Sequence, residues 1–377
     1  MRPVDFRSLT FIGFNAAILT AAAFGGWTVG HRSPQPASTS RGTGGFGPAL
    51  APAEGARMPA EFERHDALML GLNELVDLHP QTLVDIVRAI DGRIEILGLI
   101  ARPEQERATL ELLEAHGVAT DNVRFFLWPA TSMWLQDFGP QQLVNGDVRV
   151  IDFEYDYTGR EQENLLPMAF AATFDMQIAH SKLTLEGGNF LSNGRGWCIS
   201  SAAMIDANRA RQYDVATIGR ILNEDLRFTQ WSYLMPLVGE STAHLDMFLT
   251  IADPSTVVLA SYDPQEDPVN AARMDDSARV LAAEKVDGKP VRVVRLPSPA
   301  ARDGIWRTYT NVIYANGVLL VPQYPDFSPE FDRQALEVYR SVLPTWKVVG
   351  IDASKLITKR GSLHCLSLKL PVLPPVN

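Results

Sequence analysis

"TNVIYANGVLLVPQY", residues 310–324, decides the fold class. Two runs rich in β-branched and aliphatic residues, 310–315 and 318–324, flank the dipeptide Asn316-Gly317. Asn-Gly accepts the positive φ angles that a two-residue hairpin turn demands, so the runs are expected to pair antiparallel. Parallel neighbours need a long crossover instead, so a purely parallel sheet would contain no such pair.

Working outward, helical and strand patterns alternate along the chain. "PQTLVDIVRAI" (80–90) and "PEQERATLELLEAHG" (103–117) place apolar residues at helical spacing, each behind a proline suited to a first turn. Further helices are expected over 207–223, 268–284 and 329–342. Between them lie short runs such as "IEILGLI", "VRFFLW", "VRVIDF", "MFLTIA", "TVVLASY", "WKVVGI" and "LHCLSLKL". This alternation indicates an α/β class, and the hairpins favour mixed sheets repeated around the body over one doubly wound sheet. No repeat of fixed period is visible in the sequence. "EGGNFLSNGRG" (186–196) is glycine-rich but lacks the Lys-Ser/Thr ending and the G-x-G-x-x-G spacing of nucleotide loops.

With 377 residues, 46% of them hydrophobic, the chain can bury a large core. Its formal charge of -10 argues against sequence-independent nucleic-acid binding, which needs clustered Lys and Arg, and suits a cationic ligand better. Arg2 and Arg7 precede an uncharged stretch over residues 9–30, the pattern of an export signal or signal anchor. About 20 apolar residues would also span a bilayer, and no clean A-x-A cleavage site stands out, so a leader and an anchor both fit. The body is then expected outside the cytoplasm: periplasmic, secreted or membrane-anchored. Residues 31–57, rich in Ser, Pro, Gly and Ala, read as a flexible tether. A single domain is expected over 58–377.

Several segments carry polar residues that a fold alone does not require. In "GESTAHLDMFLTI", His244 and Asp246 stand two apart at the start of a strand-like run, which would put them on one face. They are a base and an acid acting together, a satisfied histidine beside a surface aspartate, or two metal ligands, although no further ligands stand at recognisable spacing. Asp137 in "TSMWLQDFGP" precedes a Gly-Pro turn and could serve that turn, while Trp134 could belong to the core. Glu186 is followed by Gly187 and Gly188, which permit either close backbone approach or positive φ. Asn311 in a strand suggests a polar partner in a pocket. Cys365 is a small buried hydrophobe, half of a bridge to Cys198, or a thiol nucleophile of the kind that works with a distant His and acids.

Taken in order, "MPAEFERHDALMLGL", "WLQDFGP", "LEGGN", "GESTAHLD", "YTNVIYANGVLLVPQYPD" and "GSLHC" resemble the agmatine deiminase and bacterial peptidyl-arginine deiminase family of the pentein superfamily. The resemblance covers nearly all of the body. It implies a five-bladed pseudosymmetric α/β propeller with an axial active site, and neither metal nor organic cofactor. It also implies that Cys365 is the nucleophile, His244 the general acid/base, Asp137 and Asp246 the carboxylates that bind a guanidinium, and Asn311 the active-site asparagine. Trp134, Glu186, Gly187, Gly188 and Arg160 are expected to line the substrate site. The expected substrate is a guanidino small molecule or an arginine-containing peptide, converted to citrulline or N-carbamoylputrescine with loss of ammonia. The chain departs from the family at Gln136, where the motif has Arg, and at "KRGSL" (359–363), where it has a glycine-rich "GGGN". Export and "GGN" rather than "GGS" at 187–189 favour the peptidyl type, with Arg160 a candidate for a C-terminal carboxylate. Agmatine would instead need an acceptor for its amine, for which Glu161 or Glu163 could serve. A pentein that binds a guanidino ligand or a protein without turnover is the alternative of another class.

Overall fold

The hairpin at Asn316-Gly317 forms as its sequence predicts: both residues have positive φ (45° and 91°), and strand Ile313–Ala315 pairs antiparallel with Val318–Gln323. The Asn316 side chain also accepts from His65 N–H (3.0 Å) and donates to the carbonyls of His65 and Arg93. The turn thereby ties its sheet to the N-terminal segment.

This computed structural model describes residues 55–146, 148–155 and 157–375. The expected leader or anchor over 9–30 and residues 31–54 of the tether lie outside them. The tether was expected to run to residue 57, yet Arg57 already belongs to the body. Its backbone pairs with Val144 in both directions, and its guanidinium grips Glu63 with both terminal nitrogens. Among the described residues no helix is long and apolar enough to cross a membrane.

The same unit recurs: an antiparallel pair of strands, a helical crossover, and a third strand parallel to the second. Among the described residues five sheets follow it. One joins Gln141–Leu143, Arg149–Glu154 and Gln177–Thr184, and the next joins Phe190–Ser192, Trp197–Ser201 and Gln230–Leu234. A third comprises Leu249–Asp253, Thr256–Ser261 and Arg292–Pro297, and a fourth adds Lys347–Asp352 to the hairpin described above. In the fifth, Ala67–Gly71 is flanked by Glu95–Ile100, which continues to Val123–Leu127, and by the last strand of the chain, Ser367–Leu370. A separate two-stranded ribbon joins Lys285–Val286 to Lys289–Pro290. The molecule is therefore α/β with mixed sheets. Middle strands such as Thr256–Ser261 and Val318–Gln323 are buried almost throughout, which explains why they read as continuous apolar runs.

Helices Pro80–Ile90, Glu104–Ala115, Pro268–Ala283 and Pro329–Val342 stand where periodicity and N-terminal prolines place them. The single helix expected over 207–223 is instead two, Ala203–Arg209 and Val215–Leu226. Gln212 between them takes φ 61°, and Asp214 caps the second helix by accepting the Thr217 N–H.

Helix Glu161–Thr173 buries Glu163, whose Oε1 accepts the Thr131 N–H (2.7 Å), the Thr131 hydroxyl (2.7 Å) and the Ser132 N–H (3.1 Å). This fixes the turn that leads to Trp134, while Glu163 Oε2 is buried without a hydrogen-bond partner among the described residues. Glu163→Ala is expected to destabilise the protein by about 2–4 kcal/mol, because buried donors lose their partner. A urea titration should show a lower midpoint at unchanged m.

Candidate active site

The polar residues singled out in the sequence share a structural address. Each lies in the short segment just before the first strand of one unit: Asp137 before Gln141–Leu143, Glu186 before Phe190–Ser192, His244 and Asp246 before Leu249–Asp253, Asn311 before Ile313–Ala315, and Cys365 before Ser367–Leu370. Three expectations are corrected by this placement. His244 and Asp246 are not on a strand; Ala243 takes φ 57° and residues Leu245–Met247 form a 3-10 turn. The two side chains consequently serve different partners. Asn311 and Cys365 likewise precede their strands, which leaves their side chains free to face the other turns. Asp137 lies in a one-turn helix, Leu135–Phe138, ahead of the Gly-Pro turn.

Cys365 is buried, and its sulfur accepts the Asn311 Nδ2–H at 3.2 Å and lies 3.7 Å from Asp246 Oδ2. Asn311 Oδ1 accepts the His364 backbone N–H at 2.9 Å, so one amide holds both the sulfur and its backbone. The Cys365 carbonyl accepts the Gln136 N–H at 3.0 Å, joining the two turns. Cys198 lies elsewhere, in strand Trp197–Ser201, and both thiols are free, which excludes the bridge between them.

His244, also buried, bonds Glu186 Oε2 through Nε2 (2.8 Å) and faces Asp137 Oδ1 through Nδ1 (3.6 Å). The glycines of "EGGN" serve this approach and not positive φ. A Cβ on Gly188 would stand 2.5 Å from His244 Nδ1 and 3.2 Å from Asp137 Oδ1, and one on Gly187 would collide with the Gln136 carbonyl. Gly361 has the same role beneath Trp134, whose half-buried ring would meet a Cβ there at 2.6 Å. Gln136 contributes its backbone as described and offers Nε2 to the Gly187 carbonyl at 3.4 Å. Lys359 and Arg360 face solvent.

The charges around His244 are tightly linked. Burial alone would lower its pKa, but Asp137 and Glu186 overcome this and raise it to about 10. Burial would raise Glu186, yet its bond to His244 wins and holds it below the ordinary carboxylate value. Burial pushes Asp137 up to about 7; the His244 charge opposes this, and the Glu186 and Asp246 carboxylates add to it. The Cys365 thiol is driven well above its ordinary value, first by burial and then by Asp246 and Asp137. Ligand atoms of Asp137, Glu186 and His244 lie within 4.8 Å of one another, close enough for a cation to bridge. An imidazolium with both N–H groups turned to carboxylates has no free lone pair, so this arrangement is an ion-pair cluster as it stands.

Asp137 Oδ1 and Asp246 Oδ1 are buried and have no hydrogen-bond partner among the described residues. Such oxygens are costly unless a ligand satisfies them. They flank a thiol, and a flat cation with N–H donors on several edges would satisfy both. Nearby, Tyr157 donates its hydroxyl to Glu186 Oε1 (2.9 Å) and packs at a tilt against Tyr155, whose hydroxyl accepts from Arg160. Arg160 also lies over the Tyr157 ring, 5.8 Å from its centre. Sequence reasoning passed over His364, Glu61 and the two tyrosines. The signal for His364 was its place beside the cysteine, and for Glu61 its place in "MPAEFERHD".

Similarity to known proteins agrees with this geometry. The model of the family described as Porphyromonas-type peptidyl-arginine deiminase matches residues 57–371. A Legionella pneumophila (strain Paris) protein assigned as an agmatine deiminase is 24% identical over 340 residues, 84% of this chain and 96% of its own length. Among solved structures, the agmatine deiminase of Enterococcus faecalis has a TM-score of 0.74 at 20% identity, covering 84% of this chain and 96% of that one. A C. jejuni agmatine deiminase with substrate bound has a TM-score of 0.73 at 21% identity, covering 85% and 97%. At these identities the structural likeness speaks for the fold.

The pKa shifts fix a pH dependence of stability. His244 binds its proton more tightly folded than unfolded, so its contribution is full below about pH 6.5 and is lost as pH rises through about 10. Asp137, raised from 3.8 to about 7, acts in the same direction in a lower window. Unfolding free energies measured in urea between pH 7 and 10 should fall more steeply for the native chain than for His244→Gln. Parallel curves would show that His244 is not held as an imidazolium.

Proposed function

Because the chain belongs to the Porphyromonas-type peptidyl-arginine deiminase family, we propose that it hydrolyses the guanidino group of peptide-borne arginine to a ureido group and ammonia through a covalent bond to Cys365. The chain is a hydrolase acting on C–N bonds of linear amidines. The observation that carries the site assignment is the contact of Asn311 and Asp246 with Cys365 Sγ, beside a turn whose Asp137 pairs with His244.

Asp246 receives guanidinium N–H groups on its unpartnered Oδ1, and Asp137 on Oδ1, which makes no hydrogen bond and lies 3.6 Å from His244 Nδ1. Arrival of this cation offsets the carboxylates that hold the thiol proton on, and an opposite charge in contact shifts a pKa by about 1–3 units. The thiol proton leaves to solvent, and the thiolate attacks the central carbon. His244, protonated by its position between Asp137 and Glu186, gives its proton to the departing nitrogen, and ammonia leaves. A thiouronium joins the substrate carbon to Cys365. The neutral His244 then takes a proton from the attacking water, and breakage of the C–S bond releases the ureido product and the cysteine. Asn311, donating to the sulfur, stabilises it as thiolate in both steps.

Arg160 supports the peptidyl substrate. Through Tyr155 and Tyr157 it sits beside the Glu186 rim, where a cation favours a carboxylate at the far end of the substrate and repels the ammonium of agmatine. Export, expected from residues 9–30, suits a protein-borne substrate. The five sheets are inferred to stand round one axis as a five-bladed α/β propeller, with the five strand-entry turns at its centre.

Ammonia and ureido product should be measured with a peptide ending in arginine, a peptide with internal arginine, free arginine and agmatine. The C-terminal arginine peptide is expected to exceed agmatine by roughly tenfold or more in kcat/KM, and Arg160→Ala to erase most of that margin, as loss of a charge-assisted hydrogen bond would. Cys365→Ala should reduce turnover by at least about a thousandfold. Ammonia release that survives Cys365→Ala overturns the mechanism; preference for agmatine moves the substrate to the diamine class; peptide binding without turnover leaves a non-catalytic binder.

A further inference from the structure

A row of buried charges runs from the last strand into the site. Lys369 Nζ lies 2.8 Å from Glu61 Oε2, Glu61 Oε1 lies 2.6 Å from His364 Nε2, and His364 Nδ1 lies 2.7 Å from Asp246 Oδ2. The Lys369, His364 and Asp246 side chains are at most 3% exposed, and Glu61 is 19% exposed. We infer that His364 is a positioning residue: held as an imidazolium between Glu61 and Asp246, it fixes the Asp246 carboxylate so that Oδ1 alone is presented to the substrate cation. The inference deepens the proposed function and rests on it.

Both ring nitrogens of His364 face carboxylate oxygens at hydrogen-bond distance, so both carry protons and the ring is cationic. The signs then alternate from Lys369 to Asp246, and every buried charge has an opposite neighbour. Glu61 is the element that makes this work. Without it, His364 would face Lys369 across the same space as like charges, and burial would favour the neutral ring. Burial does lower the affinity of His364 for its proton, and Glu61 and the bond to Asp246 more than restore it.

The consequence is geometric. Asp246 Oδ2 is occupied by His364 and lies 3.7 Å from the sulfur, while Oδ1 is buried without a partner. The backbone is clamped as well, since the Asp246 carbonyl accepts the Thr310 hydroxyl at 3.0 Å. A carboxylate without His364 could rotate about its Cβ–Cγ bond and exchange its two oxygens, and its unpaired charge would lie against the sulfur. Substrate affinity depends on orientation held to a fraction of an ångström, and a partner on one oxygen supplies it. The site thus pairs two histidines with two tasks: His244 handles protons, and His364, adjacent in sequence to the nucleophile, handles none.

The test compares alkylation of Cys365 by chloroacetamidine, a cationic probe, and by chloroacetamide, its neutral analogue. The native chain should react faster with the cationic probe because Asp246 recruits it. In His364→Gln this preference, the ratio of the two rates, is expected to fall by about 10- to 100-fold, the worth of one charge-assisted hydrogen bond; the ratio cancels any change in thiolate fraction, which acts on both probes alike. Glu61→Gln, which keeps an acceptor for His364 and removes the charge, should lower the preference by a smaller factor and guards against a misfolded His364→Gln. General loosening of the site would instead raise both rates together. A preference undiminished in both variants overturns the inference alone. A native chain that does not prefer the cationic probe overturns the proposed function, and this inference with it.

Discussion

The antiparallel pairing of Ser367–Leu370 with Ala67–Leu70 is the constraint on which the rest depends. It joins the last strand of the chain to the first described one and completes the fifth sheet. Leu368 and Leu370 pack into the same core as Ala67 and Met69, so the pairing is held by buried area as well as by the ladder. Because Cys365 stands immediately before that strand, closing the sheet also delivers the sulfur. The Lys369 to Glu61 contact springs from the same strand, on the opposite face to the leucines. One register therefore sets both the core and the charge row behind the site.

Burying this much charge is tolerable only because it is balanced. The described site holds the carboxylates of Asp137, Glu186, Asp246 and Glu61 against the imidazoles of His244 and His364 and the ammonium of Lys369. Removal of one partner from such a set costs more than the pair contributes, since it leaves a buried charge alone. The surplus negative charge is what a guanidinium would cancel, and it adds to burial, the larger cause, in holding the proton on the thiol. A nucleophile that ionises mainly when its substrate cation is present is shielded from other electrophiles and oxidants.

The repeated strand, strand, helix, strand unit explains how residues so far apart in sequence meet. The first strand of each unit is entered by a short turn, and backbone in turns is free to present side chains that a strand would alternate between two faces. Glycine is needed where two such turns touch. Gly187, Gly188 and Gly361 each abut a neighbouring turn so closely that a methyl group would displace a carbonyl, His244 or Trp134.

The sequence by itself determined the α/β class, the mixed sheets and most helix positions, and it singled out the polar groups that the structure gathers at one site. Those follow from local physics: φ preferences at Asn316-Gly317, periodicity, proline at helix starts, and residue types with few uses other than chemistry. It could not tell that His244 and Asp246 leave the strand, that 207–223 breaks into two helices, or whether Cys365 bonds to Cys198, because a positive φ at Ala243 or Gln212 and the separation of two thiols are consequences of packing. Only tertiary structure decided which groups pair. Contacts such as Glu61 with His364, 303 residues apart, depend on the closure of the last sheet, and no local pattern encodes that distance.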